Sequence, residues 1–137
     1  MSTEPSILTS TQNGICTITL NRPSVFNSFN QAMGRAFQAA LDAAAIDEAV
    51  RCVVITGNGK AFCAGHNLKE MTAGRQAEDG GKAYFKDLFD RCATMMMSIQ
   101  KLPQPVIAQV RGIATAAGCQ LVATCDMAVA AEGTKFG

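Results

Sequence analysis

Two short β-branched runs constrain this chain more than any other feature. They are "CVVIT" at 52–56 and "VIAQV" at 106–110, each long enough for one strand. Their near-continuous apolar character predicts strands buried on both faces, as in a parallel sheet. Between them, Phe85, Leu88, Phe89, Cys92, Met95, Met96 and Ile99 recur at close to 3.6-residue spacing, which predicts a helix over about 82–101. Pro103 and Pro105 end it. Parallel strands need a crossover of this kind, so the pattern predicts an α/β layered fold.

The flanking segments extend it. "SILTS" and "ICTITL" surround "QNG", and Asn-Gly is a strong hairpin signal, so residues 6–20 read as a β-hairpin. "NRPSVFNSFN" at 21–30 reads as a loop opened by Pro23. A helix is expected to begin near Ser28, with Phe29, Met33, Phe37 and Leu41 at helical spacing. "AGRQAEDGGK" at 73–82 reads as mobile surface, "GIATAAGC" at 112–119 as a turn into a helix, and "MAVAA" at 127–131 as a further strand. No linker composition interrupts this order, so residues 1–137 are read as one domain. The sequence stops at "TKFG", directly after a strand, and is read as the N-terminal part of something longer.

Composition narrows the function classes. Of the 137 residues 48% are hydrophobic and 17% charged, which excludes disorder. The net charge is +1 with no basic block, so neither nucleic acid nor a membrane surface is expected as partner. "MSTEPSILTSTQNG" lacks the basic-then-apolar pattern of a signal peptide, and no apolar run reaches bilayer length. Six cysteines without a CxxC spacing are read as reduced, mostly buried thiols of a cytoplasmic protein.

Two strand-to-loop junctions carry candidate chemistry. "GNGKAFCAGHNL" is not a phosphate loop, because Val54 stands where the first glycine is needed and Ala61 follows Lys60. A dinucleotide fingerprint fails at Phe62. What remains is a set of backbone N–H groups flanked by small residues: Ala64 and Gly65 here, and Ala116, Ala117 and Gly118 at the second junction, where a helix begins. Helix N-termini carry free N–H groups and partial positive charge, and two such junctions aimed at one point form an oxyanion hole. Small residues serve tight helix packing equally well, and spacing alone favours packing. His66 is the sole histidine, with no cluster at metal-ligand spacing, so no metal is expected. No GxSxG nucleophile is present. Asp126 reads as a turn or capping residue.

At these junctions the sequence resembles the enoyl-CoA hydratase/isomerase (crotonase) family. "GICTITLNRPSVFNSFN", "VVITGNGKAFCAGHNLKEM" and "PVIAQVRGIATAAGCQLVATCDMAVAAEGTKFG" match its opening segment and two signatures in order, across essentially the whole chain. The resemblance implies a spiral of ββα units, cut before the C-terminal helices, and involvement in fatty acid metabolism. It implies an acyl thioester of coenzyme A as substrate, with no separate cofactor. The thioester oxygen would sit between the N–H groups of Ala64 and Ala117. Gly65, His66, Asn67, Leu68 and Ala116 would line the acyl-CoA site, and Phe26 and Ser28 would border the CoA arm. Full-length members form homotrimers or hexamers, so a chain ending at Gly137 is expected to be unstable alone.

The departures bear on the reaction. The family's hydratases place one catalytic glutamate where this chain has Gln120, and a second beyond Gly137. An amide neither gives nor takes a proton at neutral pH, and such catalysis contributes about 10²–10⁴-fold. The expectation is therefore a hydratase-like lyase with slow or lost hydration. Isomerisation, thioester hydrolysis, decarboxylation and non-catalytic acyl-CoA binding are the alternatives. His66 is the one titratable group near the hole.

Overall fold

The computed structural model describes residues 4–137. Strands β1 (Ile7–Gln12) and β2 (Ile15–Leu20) form the expected hairpin, in register from Ile7 opposite Leu20 to Gln12 opposite Ile15. Its turn residues Asn13 and Gly14 both have positive φ, 53° and 78°, as the tight two-residue turn requires. β2 pairs in parallel with β3 (Cys52–Gly57), β3 with β4 (Val106–Val110), and β4 with β6 (Met127–Ala130). The five-stranded sheet has the order β1-β2-β3-β4-β6. Helices α1 (Gln31–Ile46), α3 (Lys82–Lys101) and α4 (Ala117–Thr124) lie in the successive crossovers, so the α/β reading holds.

Register aligns the core. Cys16 faces Val53, which faces Val106, and Ile18 faces Ile55, which faces Ala108. All six are buried, and they join Met33, Phe37 and Leu41 of α1, Met95, Met96 and Ile99 of α3, and Leu121 of α4 in one cluster. Cys52, Val54 and Thr56, at the alternate positions of β3, stay half-buried. The expectation of burial on both faces is thus corrected: the helical cluster covers one face of the sheet.

Three other expectations shift. α1 begins at Gln31, not near Ser28, because Asn30 caps it in extended conformation and accepts from the Met33 N–H at 2.8 Å. Phe29 is therefore extended and outside the helix. The stripe of α3 is buried from Leu88 to Ile99, but Phe85 is half-buried and Phe89 is 56% exposed. A helix absent from the sequence reading, α2 (Leu68–Gly74), lies ahead of α3 and takes up the start of the stretch read as surface. Strands β5 (Ile113–Ala114) and β7 (Lys135–Phe136) add a small second sheet. Among the described residues no helix is long and apolar enough to cross a membrane. The cysteines carry no disulfide: Cys16, Cys63 and Cys92 are buried, and Cys52, Cys119 and Cys125 half-buried.

Candidate functional site

Backbone hydrogen bonds bring the two junctions side by side. The N–H groups of Phe62 and Cys63 donate to the Ile113 carbonyl at 2.9 and 3.1 Å, and the Thr115 N–H donates to the Cys63 carbonyl at 3.0 Å. On the other flank, the Phe29 N–H donates to the Gly65 carbonyl at 2.7 Å, and the Asn67 N–H to the Phe29 carbonyl at 2.8 Å. The approach is close enough to demand glycine. A Cβ on Gly118 would lie 2.2 Å from the Cys63 carbonyl oxygen. Gly65, at φ +90°, would put a Cβ 3.0 Å from that of Ala116 and 3.4 Å from the Ala117 nitrogen.

Following each N–H group to its acceptor changes one assignment. The Ala64 N–H donates to the Phe26 carbonyl at 3.0 Å, so it is committed inside the fold and is not a free donor. The N–H group of His66, two residues further on, is placed differently. Phe29 uses both of its backbone groups on Gly65 and Asn67, so the N–H of His66 points away from it, as in any parallel bridge. Among the described residues neither the His66 N–H nor the Ala117 N–H has an acceptor. Ala117 is the first residue of α4, where the helix leaves its donors unpaired and partially positive. The expectation of a free N–H at Ala64 is thus corrected, while the Ala117 N–H is free to meet a ligand.

Ala116 aims that donor at a cost. Its φ of 50° and ψ of −124° suit glycine, and its own N–H donates to the Gly137 carbonyl at 2.6 Å. Such strain costs about 1–3 kcal/mol, against roughly 0.5–1 kcal/mol for glycine's extra freedom in the unfolded chain. Ala116→Gly should therefore stabilise the protein by about 1 kcal/mol in urea denaturation. A lower midpoint than wild type would show that Ala116 is unstrained.

The remaining site residues divide by role. The Asn67 side chain accepts from the N–H groups of Lys69 and Glu70 and caps α2, so its amide oxygen does structural work. Phe26 and Leu68 are 52% and 73% exposed. Ser28 is half-buried, and its carbonyl accepts from Arg22 Nη1 at 2.7 Å. Gln120 is exposed on α4 with its side-chain amide unbonded. The His66 ring meets Phe89 edge to face at 6.4 Å, its Nδ1 is buried without a partner, and burial lowers its pKa, which favours the neutral form at pH 7. Among the described residues no cluster suited to a metal is found. Asp126 accepts from the Val106 N–H at 2.7 Å, a structural role that links it to the start of β4 and not the local turn or cap expected.

Asn27 was missed as a support for the site. It is fully buried at φ 54°. Its Oδ1 accepts from the Arg22 N–H at 2.7 Å, and its Nδ2 donates to the carbonyls of Asn58 and Ala61, each at 2.8 Å. Beside it, the Cys63 thiol donates to the Asn27 carbonyl at 3.3 Å. Burial pushes that thiol up to about 11, so it is unreactive at neutral pH.

The sequence pattern of the family described as enoyl-CoA hydratase/isomerase matches residues 10–137. The Xenopus laevis mitochondrial enoyl-CoA hydratase domain-containing protein 3 is 44% identical, over 91% of this chain and 41% of its own length. An Escherichia coli 1,2-epoxyphenylacetyl-CoA isomerase is 36% identical, over 95% of this chain and 49% of its own. Among solved structures, an enoyl-CoA hydratase from Mycobacterium smegmatis superposes with a TM-score of 0.90 at 51% identity, covering 98% of this chain and 51% of that one. The chain thus spans about half the length of the relatives it matches. Matched signatures and a matched ββα-like spiral place this chain in the enoyl-CoA hydratase/isomerase (crotonase) family.

Proposed function

We propose that the protein containing this chain binds an acyl-CoA thioester and stabilises negative charge on the thioester oxygen with the backbone N–H groups of His66 and Ala117. The observation that carries this is the pair of N–H groups, each without an acceptor, on adjacent loops. Donors fixed in place before reaction lose nothing to reorganisation as an enolate forms, and each is worth about 10²–10³ in rate. Phe26 and Ser28 border the CoA arm in this reading, and Gly65, Asn67, Leu68 and Ala116 line the site. The relatives' names include both a CoA isomerase and a CoA hydratase, which accords with one hole serving several reactions.

Gln120 favours a second reading. Its amide is exposed, unbonded, and located where the family resemblance implies a carboxylate. Isomerisation, thioester hydrolysis or non-catalytic binding all use the hole without an acid at that position. The test follows loss of enoyl-thioester absorbance by the full-length protein. Wild type is expected to bind a CoA thioester and hydrate it slowly, and Gln120→Glu to raise the rate about 10²-fold, the low end for one returned proton-transfer group. Activity in the variant alone would assign the native protein to the second reading. Failure of both forms to bind any CoA thioester would remove the function altogether.

A further inference from the structure

Asparagine is followed by glycine twice in this chain, at Asn13–Gly14 and Asn58–Gly59, and the fold holds the two steps differently. Both asparagines are exposed, and among the described residues neither glycine N–H has an acceptor. Glycine has no Cβ to shield its nitrogen, so in sequence terms either nitrogen can approach the preceding side-chain carbonyl. Backbone conformation separates them. Asn13 has φ 53° in the tight turn of the hairpin. In that left-handed conformation its side chain and the Gly14 nitrogen lie on opposite sides of the Cα–C bond, so they meet only if the turn opens. The Gly14 carbonyl resists such opening, since it accepts from the N–H groups of Arg51 and Cys52 at 2.7 and 3.1 Å. Asn58 lies outside the left-handed region. Its side chain is held by one exposed hydrogen bond, from Nδ2 to Asn21 Oδ1 at 2.9 Å, which water replaces at little cost. Its main-chain carbonyl, by contrast, is a fixed point of the fold, because the buried Asn27 donates to it from Nδ2 at 2.8 Å.

We propose that Asn58 is a site of deamidation, and that isoaspartate formed there unties the 57–62 loop from Asn27. The Gly59 nitrogen gives up its proton and bonds to Asn58 Cγ. The bond from Cγ to the side-chain nitrogen breaks, and ammonia leaves. Water then opens the five-membered succinimide at one of its two carbonyls. Opening at the former side-chain carbonyl gives aspartate and leaves the main chain as it was. Opening at the main-chain carbonyl gives isoaspartate: the chain now runs through the former side chain, one methylene longer, and the old carbonyl becomes a free carboxylate. Only the second product displaces the acceptor that Asn27 uses. The loop it loosens runs through Ala61, whose carbonyl Asn27 also holds, directly into Cys63 and Gly65 beside the start of α4.

The test incubates the full-length protein at mildly alkaline pH, folded and in urea, with peptide mass mapping and labelling by an isoaspartate-specific methyltransferase. In the folded protein Asn58 should convert about tenfold faster than Asn13, because Asn13 must first give up a backbone hydrogen bond of its turn. In urea the two rates should converge, which separates the effect of the fold from that of the dipeptide. Asn58→Gln, which would have to close a six-membered ring, should show no conversion at 58 over the same time. The isoaspartyl fraction should melt about 5 °C below Asn58→Asp, the counterpart of the other product. Repair by the methyltransferase, which returns isoaspartate to aspartate, should remove that gap. Conversion of Asn13 as fast as Asn58 in the folded protein, an Asn58 still intact there after the denatured chain has converted, or an isoaspartyl fraction that melts with Asn58→Asp would overturn the proposal.

Discussion

Asn27→Ala should destabilise the fold by about 4 kcal/mol and lower the Tm by more than about 10 °C. The side chain makes three hydrogen bonds, to Arg22, Asn58 and Ala61, from a fully buried position. Truncation removes each bond and strands the partners, and the fully buried bond to Ala61 has no water to replace it. Each unsatisfied buried group costs about 1–3 kcal/mol. Alanine also tolerates the positive φ less well than asparagine. Aspartate is no remedy, because it exchanges two donated bonds for a charge facing two carbonyl oxygens. Asn58→Ala is the contrast. Its side chain donates to Asn21 at the surface, and its carbonyl still serves Asn27, so the loss should stay within about 1 kcal/mol. Thermal melts of the two variants side by side decide it. An Asn27→Ala melt as stable as that of Asn58→Ala would mean that this network does not hold the 22–28 loop to the 57–62 loop.

How far the sequence revealed this site depended on where each determinant lies. The hairpin, the three parallel strands and α3 were legible because turn chemistry and residue periodicity are local. Ala117 was legible because small residues at a helix start leave a bare donor. That the Ala64 N–H is occupied while that of His66 is free was not. It depends on which N–H a remote carbonyl, that of Phe26, already occupies, and no local pattern encodes that. The pairing of Phe29 with His66 was likewise hidden, since Phe29 fits the helical spacing of Met33 and Phe37 and only the Asn30 cap excludes it. α2 spans too few residues for a 3.6-residue period to show; its signal was the cap at Asn67, which also sits in the family signature. Asn27 was overlooked because a polar residue in a loop rich in Asn and Ser reads as solvated.

Gly118→Ala opposes two effects whose sizes differ enough to fix the outcome. Inside a helix, alanine is favoured over glycine by about 1 kcal/mol. Here the added methyl would sit 2.2 Å from the Cys63 carbonyl oxygen and 2.8 Å from the Cys63 Cβ, and both neighbours belong to a buried residue in a hydrogen-bonded bridge. Relief requires the first turn of α4 to move away from Cys63 by about 1 Å, and overpacking of this kind costs roughly 1–3 kcal/mol. The clash therefore outweighs the propensity. The movement also carries the Ala117 N–H away from that of His66, because Ala117 precedes Gly118 directly. A catalytic donor displaced by that distance is close to a donor lost, so kcat of the full-length protein should fall about 10²–10³-fold. Ground-state affinity for the thioester should change far less, because the hole tightens only as charge develops. Gly65→Ala approaches the same point from the other loop, setting a methyl 3.4 Å from the Ala117 nitrogen at a φ of +90° that alanine resists. It should reproduce the loss. If either variant folds with native kcat on the protein's best thioester substrate, the pair of N–H groups is not the centre where the oxygen's charge is held.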